Sequence, residues 1–478
     1  MKKSLLYALL LMLLPVTLAS AQENLLATIT LKAKKGATVT AKFIGTTPQL
    51  KVDWGDGAWE DLVVSDEVPG DLADVKTFTK ALPAQDPTIQ IKGSGLLMLQ
   101  MNRLWMGGDT PEMTHIDLSN AQDLEVLIVD NNKLTQLDVT PCPNLRILHC
   151  FGNLDLAVLD VSKAPGLTEL YLQYTAVKDL DLSHNPLLKT LDLDKTAVEA
   201  LDLSGNTQIQ SLFVQQSPLR KLNLSGCTAL YDLRVGGNKL ESVILDNNPA
   251  LTKLQVFENP LSELNFAACP NVEELYFDQT NIQHADLRGM ARLRDLGADR
   301  CKLTYLRLHP QVPLSKCFIY GNQLDACALD SLFNELPATD TTRVILVQAT
   351  KEYTNPGMAT AKSFLAKDKG YLLWDDIDRV EVSGDGTGCR NDLSIADVLA
   401  AHPTQGRYLA VPTNAAERIT VSGAPIRRLF VLDPSGATVL TRQGDIHTLE
   451  LSALSPGRYL LLIEPVEGKA EVLLFNKI

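Results

Sequence analysis

The side chains with the greatest chemical reach in this 478-residue chain do not gather into a reaction centre. No stretch reads H-E-x-x-H, G-x-S-x-G, a phosphate-cradling P-loop or paired C-x-x-C, spacings that bring a metal, a nucleophile or an anion site into register. The seven histidines are scattered, with His149 and His284 far from His447, and none stands beside a plausible nucleophile. The expectation is therefore no catalytic residues, no metal and no cofactor. What does recur is two stripes of side chains. Asp138, Asp160, Asp181, Asp202 and Asp286 return at one position, joined by Asn223 and Asn265. Short acidic side chains next to turns bond local amides, so turn formation is preferred here over a cation site. The second stripe is aromatic: Phe151, Tyr171, Tyr174, Phe213, Phe257, Tyr276, Phe318 and Tyr320. Rings on a rigid support bury much area at little entropic cost, which suits a binding face. The alternative is that they stack on one another along a sheet and stiffen it.

Both stripes are set by a repeat. Starts at Leu124, Leu145, Leu167, Leu188, Ile209, Leu230, Leu251, Val272, Leu293 and Leu314 are 21 residues apart, with one step of 22. Tandem copies at a fixed period define a solenoid. Each copy reads L-x-x-L-x-L-x-x-N-x-L-x-x-L-D-L-S, as in LKTLDLDKTAVEALDLS (188–204). The L-x-L core is a short strand with alternating inward and outward side chains. The ninth position holds Asn132, Asn153, Thr175, Thr196, Ser217, Asn238, Asn259, Thr280, Cys301 and Asn322, small polar groups able to partner buried backbone. The aromatic stripe falls on outward positions of the strand and just after it, on a surface about 45–50 Å long. Glu169, Asp194, Arg234, Lys253, Asp278 and Arg300 are neighbours placed to set specificity.

These copies resemble leucine-rich repeats, specifically the 21-residue class of internalin J-like surface proteins, over roughly residues 115–335. That class places cysteine in some L-x-L cores, as Leu148-His149-Cys150 does here, but this chain does so only once. Cys142, Cys227 and Cys269 stand where other copies have Asn185, Asn206 and Asn248, Cys301 takes the Asn position and Cys317 an inward Leu position. Packed thiols are expected at these sites. Cys327 and Cys389 lie outside the register, and the sequence leaves their pairing open.

The expected fold class is mainly β with some helix: a leucine-rich-repeat solenoid of about ten coils, with a small β-unit on either side. Residues 1–21 read as a signal peptide cut after Ala21, with Lys2 and Lys3, an apolar run from Leu5 to Leu18 and an Ala-x-Ala end. A retained N-terminal anchor is the alternative. Residues 22–113 alternate as strands, and DWGDG (53–57) resembles the turn of PKD-like immunoglobulin-type sandwiches. Asp53 and Asp56 are expected to form that turn rather than bind calcium. The solenoid takes 114–335, an α/β cap 336–381, with CALDSLFNELP and GMATAKSFLAKDKG as its helical stretches, and a Gly/Asp-rich linker 382–403. Residues 404–478 form a small β-sandwich. Its VLDPSGATVL and LELSALSPGRYLLLIE segments resemble the C-terminal sorting domain of type IX secretion substrates, with Asp433, Gly436, Leu454, Gly457 and Tyr459 at the motif positions. That resemblance implies export across a Gram-negative outer membrane, engagement of the secretion machinery, and attachment to the cell surface or release.

The net charge of −13 becomes −15 once Lys2 and Lys3 leave with the signal peptide, which argues against nucleic acid and anionic lipid as partners. No stretch after the leader is long and apolar enough to span a membrane. The function expected is that of an exported, non-enzymatic adhesin taking a protein or glycan on a host or bacterial surface through its aromatic face. A self-associating matrix component and an unrecognised secreted hydrolase are the competing expectations.

Overall fold

The computed structural model describes residues 24–478 apart from 48, 104–109, 246–247, 349–352, 378–379, 390–408, 412–413, 416–417, 423–424, 434–437, 445–447, 456, 467–470 and 478. The expected signal peptide with Ala21, most of the expected linker and Gly436 lie outside the described residues.

Each coil supplies one three-residue strand to a common sheet. In order these are Val126–Ile128, Ile147–His149, Glu169–Tyr171, Thr190–Asp192, Ser211–Phe213, Asp232–Arg234, Lys253–Gln255, Glu274–Tyr276, Asp295–Gly297 and Lys316–Phe318. Neighbours pair in parallel with Leu148 opposite Leu170, Leu170 opposite Leu191 and Leu191 opposite Leu212. Those leucines are fully buried. A slip of one residue would turn each of them to solvent, so the apolar pattern fixes the register. The fold is the expected mainly-β leucine-rich-repeat solenoid.

The strand then leaves the sheet through one residue in the left-handed region, the same in every coil. Asn131, Tyr174, Lys195, Gln216, Glu258, Gln279 and Arg300 take φ between +48° and +57°, and Gly152, Gly237 and Gly321 take φ of +72°, +70° and +64°. Seven non-glycine residues hold a conformation that disfavours a Cβ. What holds them is a backbone bond to the next coil, as in Asn131 N to Phe151 O (2.7 Å), Gln216 N to Gly236 O (2.9 Å) and Arg300 N to Tyr320 O (2.8 Å). The buried Asn that follows completes the turn. Asn153 donates to Val129 O at 3.1 Å and Cys150 O at 2.8 Å, and accepts from Leu134 N at 3.0 Å. Thr175 in the same place makes fewer, reaching Leu172 O at 2.8 Å, and Cys301 Sγ reaches Phe277 O at 3.1 Å.

A second polar column lies on the return side. Asn185 donates to Val161 O and Ala164 O, and Asn206 to Leu182 O and Asn185 O. Cys227 takes the equivalent place, with its Sγ 3.5 Å from Leu203 O. Cys142, Cys150, Cys227, Cys269, Cys301 and Cys317 are free and buried. Burial pushes their thiols up, to about 11 at Cys227 and Cys301 and about 12 at Cys142, Cys269 and Cys317. Thiols held protonated in this way are packing atoms rather than nucleophiles.

The sheet does not stop at the repeats. Leu96–Gln100 pairs in parallel with the first coil, Leu99 opposite Leu127, and carries Thr38–Gly45 and Thr77–Ala81 beyond it. At the other end Arg343–Gln348 and Tyr371–Asp375 extend the same sheet to fifteen strands. The flanking elements therefore satisfy the end coils by strand pairing, covering edges that would otherwise be open. A five-stranded antiparallel sheet runs in the order Trp59–Val63, Gln49–Asp53, Thr88–Gly93, Asn24–Lys32, Glu112–Asp117. Glu112–Asp117 crosses the point near 113 where the sequence changes texture. In the DWGDG turn Asp53 Oδ1 accepts from the amides of Gly55, Asp56 and Gly57 at 2.8–3.1 Å, as a turn former does.

The helix expected at 327–337 runs Ala326–Glu335. The one expected in 357–370 is reduced to Phe364–Lys367, since its first residues turn to bond a neighbouring segment. Residues 325–331, 357–364 and 383–478 form a separate compact unit. In it Cys327 and Cys389 are joined by a disulfide. Asp385 N bonds Ala359 O, Gly386 N bonds Ala361 O and Gly388 N bonds Thr360 O, so residues 385–389 are fastened rather than loose. The remainder is a three-stranded sheet (Leu409–Val411, Arg418–Ser422, Thr448–Glu450) and a five-stranded sheet. The latter runs in the order Asn414–Ala415, Glu471–Lys477, Gly457–Pro465, Ile426–Leu432, Thr438–Gln443.

Gln216→Gly should relieve left-handed strain of about 1–2 kcal/mol, less the roughly 0.5–1 kcal/mol that glycine loses in freedom. Urea unfolding should show a net gain of no more than about 1.5 kcal/mol. Gly237→Val, which sets a branched Cβ at φ +70° near Gln216, should lose about 1–2 kcal/mol in the same assay.

Candidate functional site: the outer face of the main sheet

Because the central residue of each strand points inward, the first and third point outward, and the residue two further on shares their face. The structure places Tyr171, Phe213, Tyr276 and Phe318 at the third strand position and Phe151, Phe257 and Tyr320 two residues later. Tyr174 occupies the left-handed turn. Tyr174 is exposed and the other seven are half-buried.

None of these eight rings stacks on another among the described residues; six of them are seated on something else. Tyr171 stands edge-on to the imidazole of His149 at 4.4 Å. The Arg234 guanidinium lies 5.0 Å from the Phe213 centroid and is held by Asp232 through two bonds of 2.9 and 2.8 Å. Lys195 Nζ is 4.7 Å from the Tyr174 ring and donates to its hydroxyl at 3.0 Å. Arg300 lies 5.9 Å from the Tyr320 centroid while bound to Asp299 at 2.9 Å. Phe257 and Tyr276 rest on glycines of neighbouring coils. A Cβ at Gly236 would fall 2.5 Å from the Phe257 ring, and one at Gly297 would fall 2.4 Å from that of Tyr276. These two glycines mark ring seats that periodicity alone does not reveal. The outward row also runs past the repeats, with Phe318 opposite Leu346 and Leu346 opposite Trp374.

Carboxylates lie among the rings. Asp192 accepts from Gln173 Nε2 at 2.6 Å and from Asp194 N at 3.1 Å. Asp194 accepts from Gln215 N at 2.5 Å and from its side-chain amide at 3.3 Å. Burial, with the Asp194 charge alongside, pushes Asp192 up to about 7. Burial raises Asp194 as well. Asp278, buried and near Asp299, rises to about 6, and buried Asp130 to about 7. On the return side the acidic column behaves differently. Asp138, Asp160, Asp181 and Asp202 each accept the amide two residues on at 2.8–2.9 Å. Bonds from Ser162, Ser183 and Ser204 lower Asp160, Asp181 and Asp202. These are turn formers. Among the described residues no group of three or more His, Cys, Asp or Glu is placed to hold a metal ion.

Of the motif residues in the last unit, Tyr459 is buried, stacks on Phe475 at 5.6 Å and donates to Ser455 O at 2.8 Å. Leu454 packs against the same core. Gly457 opens the strand Gly457–Pro465, and Asp433 directly follows Ile426–Leu432. The described motif residues thus organise the sandwich itself.

The class this architecture defines is the leucine-rich-repeat solenoid. No family model matches the chain, and no curated protein does. Among solved structures it is similar to the functional domain of InlJ from Listeria monocytogenes, described as including a cysteine ladder. Identity is 17%, coverage 77% of this chain and 79% of that one, and the TM-score 0.38. It is also similar to a leucine-rich-repeat protein of Leptospira interrogans (18% identity, 54% and 67% covered, TM-score 0.42). A third likeness is to an internalin, InlF, of Listeria monocytogenes (16% identity, 52% and 80% covered, TM-score 0.40). These likenesses concern the coiled fold.

A carboxyl whose folded value lies above its unfolded one binds its proton more tightly when folded. Its charge therefore weakens the fold as pH rises from about 4 to about 7. Asp192→Asn keeps an oxygen for Gln173 and Asp194 N but cannot ionise. Thermal melts should show a higher Tm than the parent at pH 8 and no gain at pH 4.

Proposed function

We propose that the chain is an exported, non-enzymatic adhesin that takes a protein or glycan of a host or bacterial surface on the outer face of its main sheet. The observation that carries this reading is the seating of the rings. Tyr171, Phe213, Phe257, Tyr276 and Tyr320 are seated against imidazole, cations or glycines and stay half-exposed. Preorganised amphipathic surface of this kind lowers the entropic cost of association. Export is supported by the leader sequence and by the Cys327–Cys389 disulfide, which belongs to an oxidising compartment. The buried, proton-retaining thiols of the repeats give no nucleophile, which supports a binding role over catalysis. The C-terminal sandwich is assigned to sorting by type IX secretion on the strength of its sequence motifs. The whole would display the repeats on a Gram-negative cell surface or release them, in attachment or biofilm formation.

The double variant Tyr171→Ala/Phe213→Ala should weaken cell attachment at least tenfold while shifting Tm by no more than a few degrees. Equal loss of attachment and stability would assign the rings to the scaffold instead. Deleting residues 404–478 should leave the protein in the periplasm, as fractionation would detect; surface display of the truncated chain would refute the sorting assignment.

A further inference from the structure

Along its strands the outer face carries an imbalance of charge that the cations of the adjoining turns do not remove, Arg300 holding Asp299 at 2.9 Å and Lys195 the Tyr174 hydroxyl at 3.0 Å. Across the ten strands and the outward residue after each, nine carboxylates face three Arg or Lys side chains: Arg234, Lys253 and Lys316. All three cations are already committed. Arg234 holds Asp232 at 2.8 Å, Lys253 holds Glu274 at 3.1 Å and Lys316 holds Asp295 at 2.8 Å. Asp192, Asp194 and Asp278 have no cation within ion-pair distance among the described residues, only amide donors. Two of them lie beside rings: Tyr171 and Phe213 flank Asp192, and Phe257 and Tyr276 lie next to Asp278. At the first coil Asp130 is 3% exposed, yet its Oδ1 has no hydrogen-bond partner.

We propose that the occupant of this face is a cationic protein segment, whose Lys and Arg side chains seat between rings and carboxylates at Asp192/Asp194 and again at Asp278. This rests on the binding role assigned to the face above and names the chemistry of its partner. Rings and carboxylates together recognise ammonium and guanidinium groups, through the ring quadrupole and the ion pair. The two seats are four strand spacings apart, about 19 Å. An extended chain of roughly six residues covers that distance, whereas a single compact cation reaches one seat only. The paired Arg234 and Lys253 between the seats disfavour a cation there, so spacing as well as sign selects the partner.

The test uses the full mature chain and two labelled decapeptides, one alternating Lys and Ser, the other Glu and Ser, read by fluorescence anisotropy. In 50 mM salt the Lys peptide should bind at least tenfold more tightly than the Glu peptide, and 500 mM salt should weaken it at least tenfold. The triple variant Asp192→Asn/Asp194→Asn/Asp278→Asn should lose at least tenfold. Asp181→Asn/Asp202→Asn, on the return side, should change affinity less than twofold and controls for overall acidity. Equal binding of the Glu peptide, an unaffected triple variant, or spermine competing as strongly as the Lys peptide would overturn the proposal. If the triple variant still attaches to cells while Tyr171→Ala/Phe213→Ala does not, the cationic partner is wrong and the binding face stands. If both variants attach normally, the face itself is wrong.

Discussion

Each coil must turn out of its strand without leaving backbone amides unpaired in a space that water does not reach, and the rest of the molecule follows from how this is done. One residue goes left-handed, so that its N–H points along the stack to the next coil. The residue after it sends a side-chain amide to one carbonyl of its own coil and one of the coil before, and accepts an amide from that same preceding coil. Neither device is complete in a lone coil, because the left-handed N–H meets a carbonyl 20 residues on and the side chain bonds groups 24 and 19 residues back. Stability is then a property of the interfaces between neighbours, and the two ends need strands rather than lids. Leu96–Gln100 and Arg343–Gln348 supply them.

This explains which features could be read from the amino-acid sequence. The period, the inward leucines and the buried Asn column are legible because each position demands one kind of side chain. The left-handed column is not: Asn131, Tyr174, Lys195, Gln216, Glu258, Gln279 and Arg300 share no chemistry. The demand there falls on the backbone, and the bond to the next coil meets it whatever the side chain. Sheet continuity was hidden for a related reason. Leu96–Gln100 reads as one more strand of an antiparallel unit, and only its partner shows that it belongs to the solenoid. The Cys327–Cys389 pair is 62 residues apart in sequence, so its closure depends on two segments meeting in space.

The aromatic positions were legible as a stripe, but not their support. Periodicity places a ring outward; it does not say whether the ring swings freely. The supports come from unlike residues in neighbouring coils: Gly236 under Phe257, Gly297 under Tyr276, and Arg234 fixed by Asp232 over Phe213. Reading them from sequence requires matching two outward positions 21 residues apart, one large and flat and the other a glycine or an arginine. That pairing is the signal a single-coil reading passes over.

The same face joins strong restraint to weak neutralisation. A scaffold selected only to persist would pair its half-buried carboxylates with cations or replace them, since burying a charge without a partner destabilises. On the return side the aspartates are exposed, accept turn amides and are lowered accordingly. On the outer face Asp192 and Asp278 are raised instead, beside rings held in place by the coils next to them. The two walls are built from one repeat and one backbone geometry, so the contrast lies in what the side chains face. Turn amides and solvent serve the exposed acids of one wall, while Asp192, Asp194 and Asp278 of the other are half-buried with no cation within ion-pair distance among the described residues. An acid that the fold leaves incomplete at a rigid surface is stabilised most by something that arrives with the opposite charge.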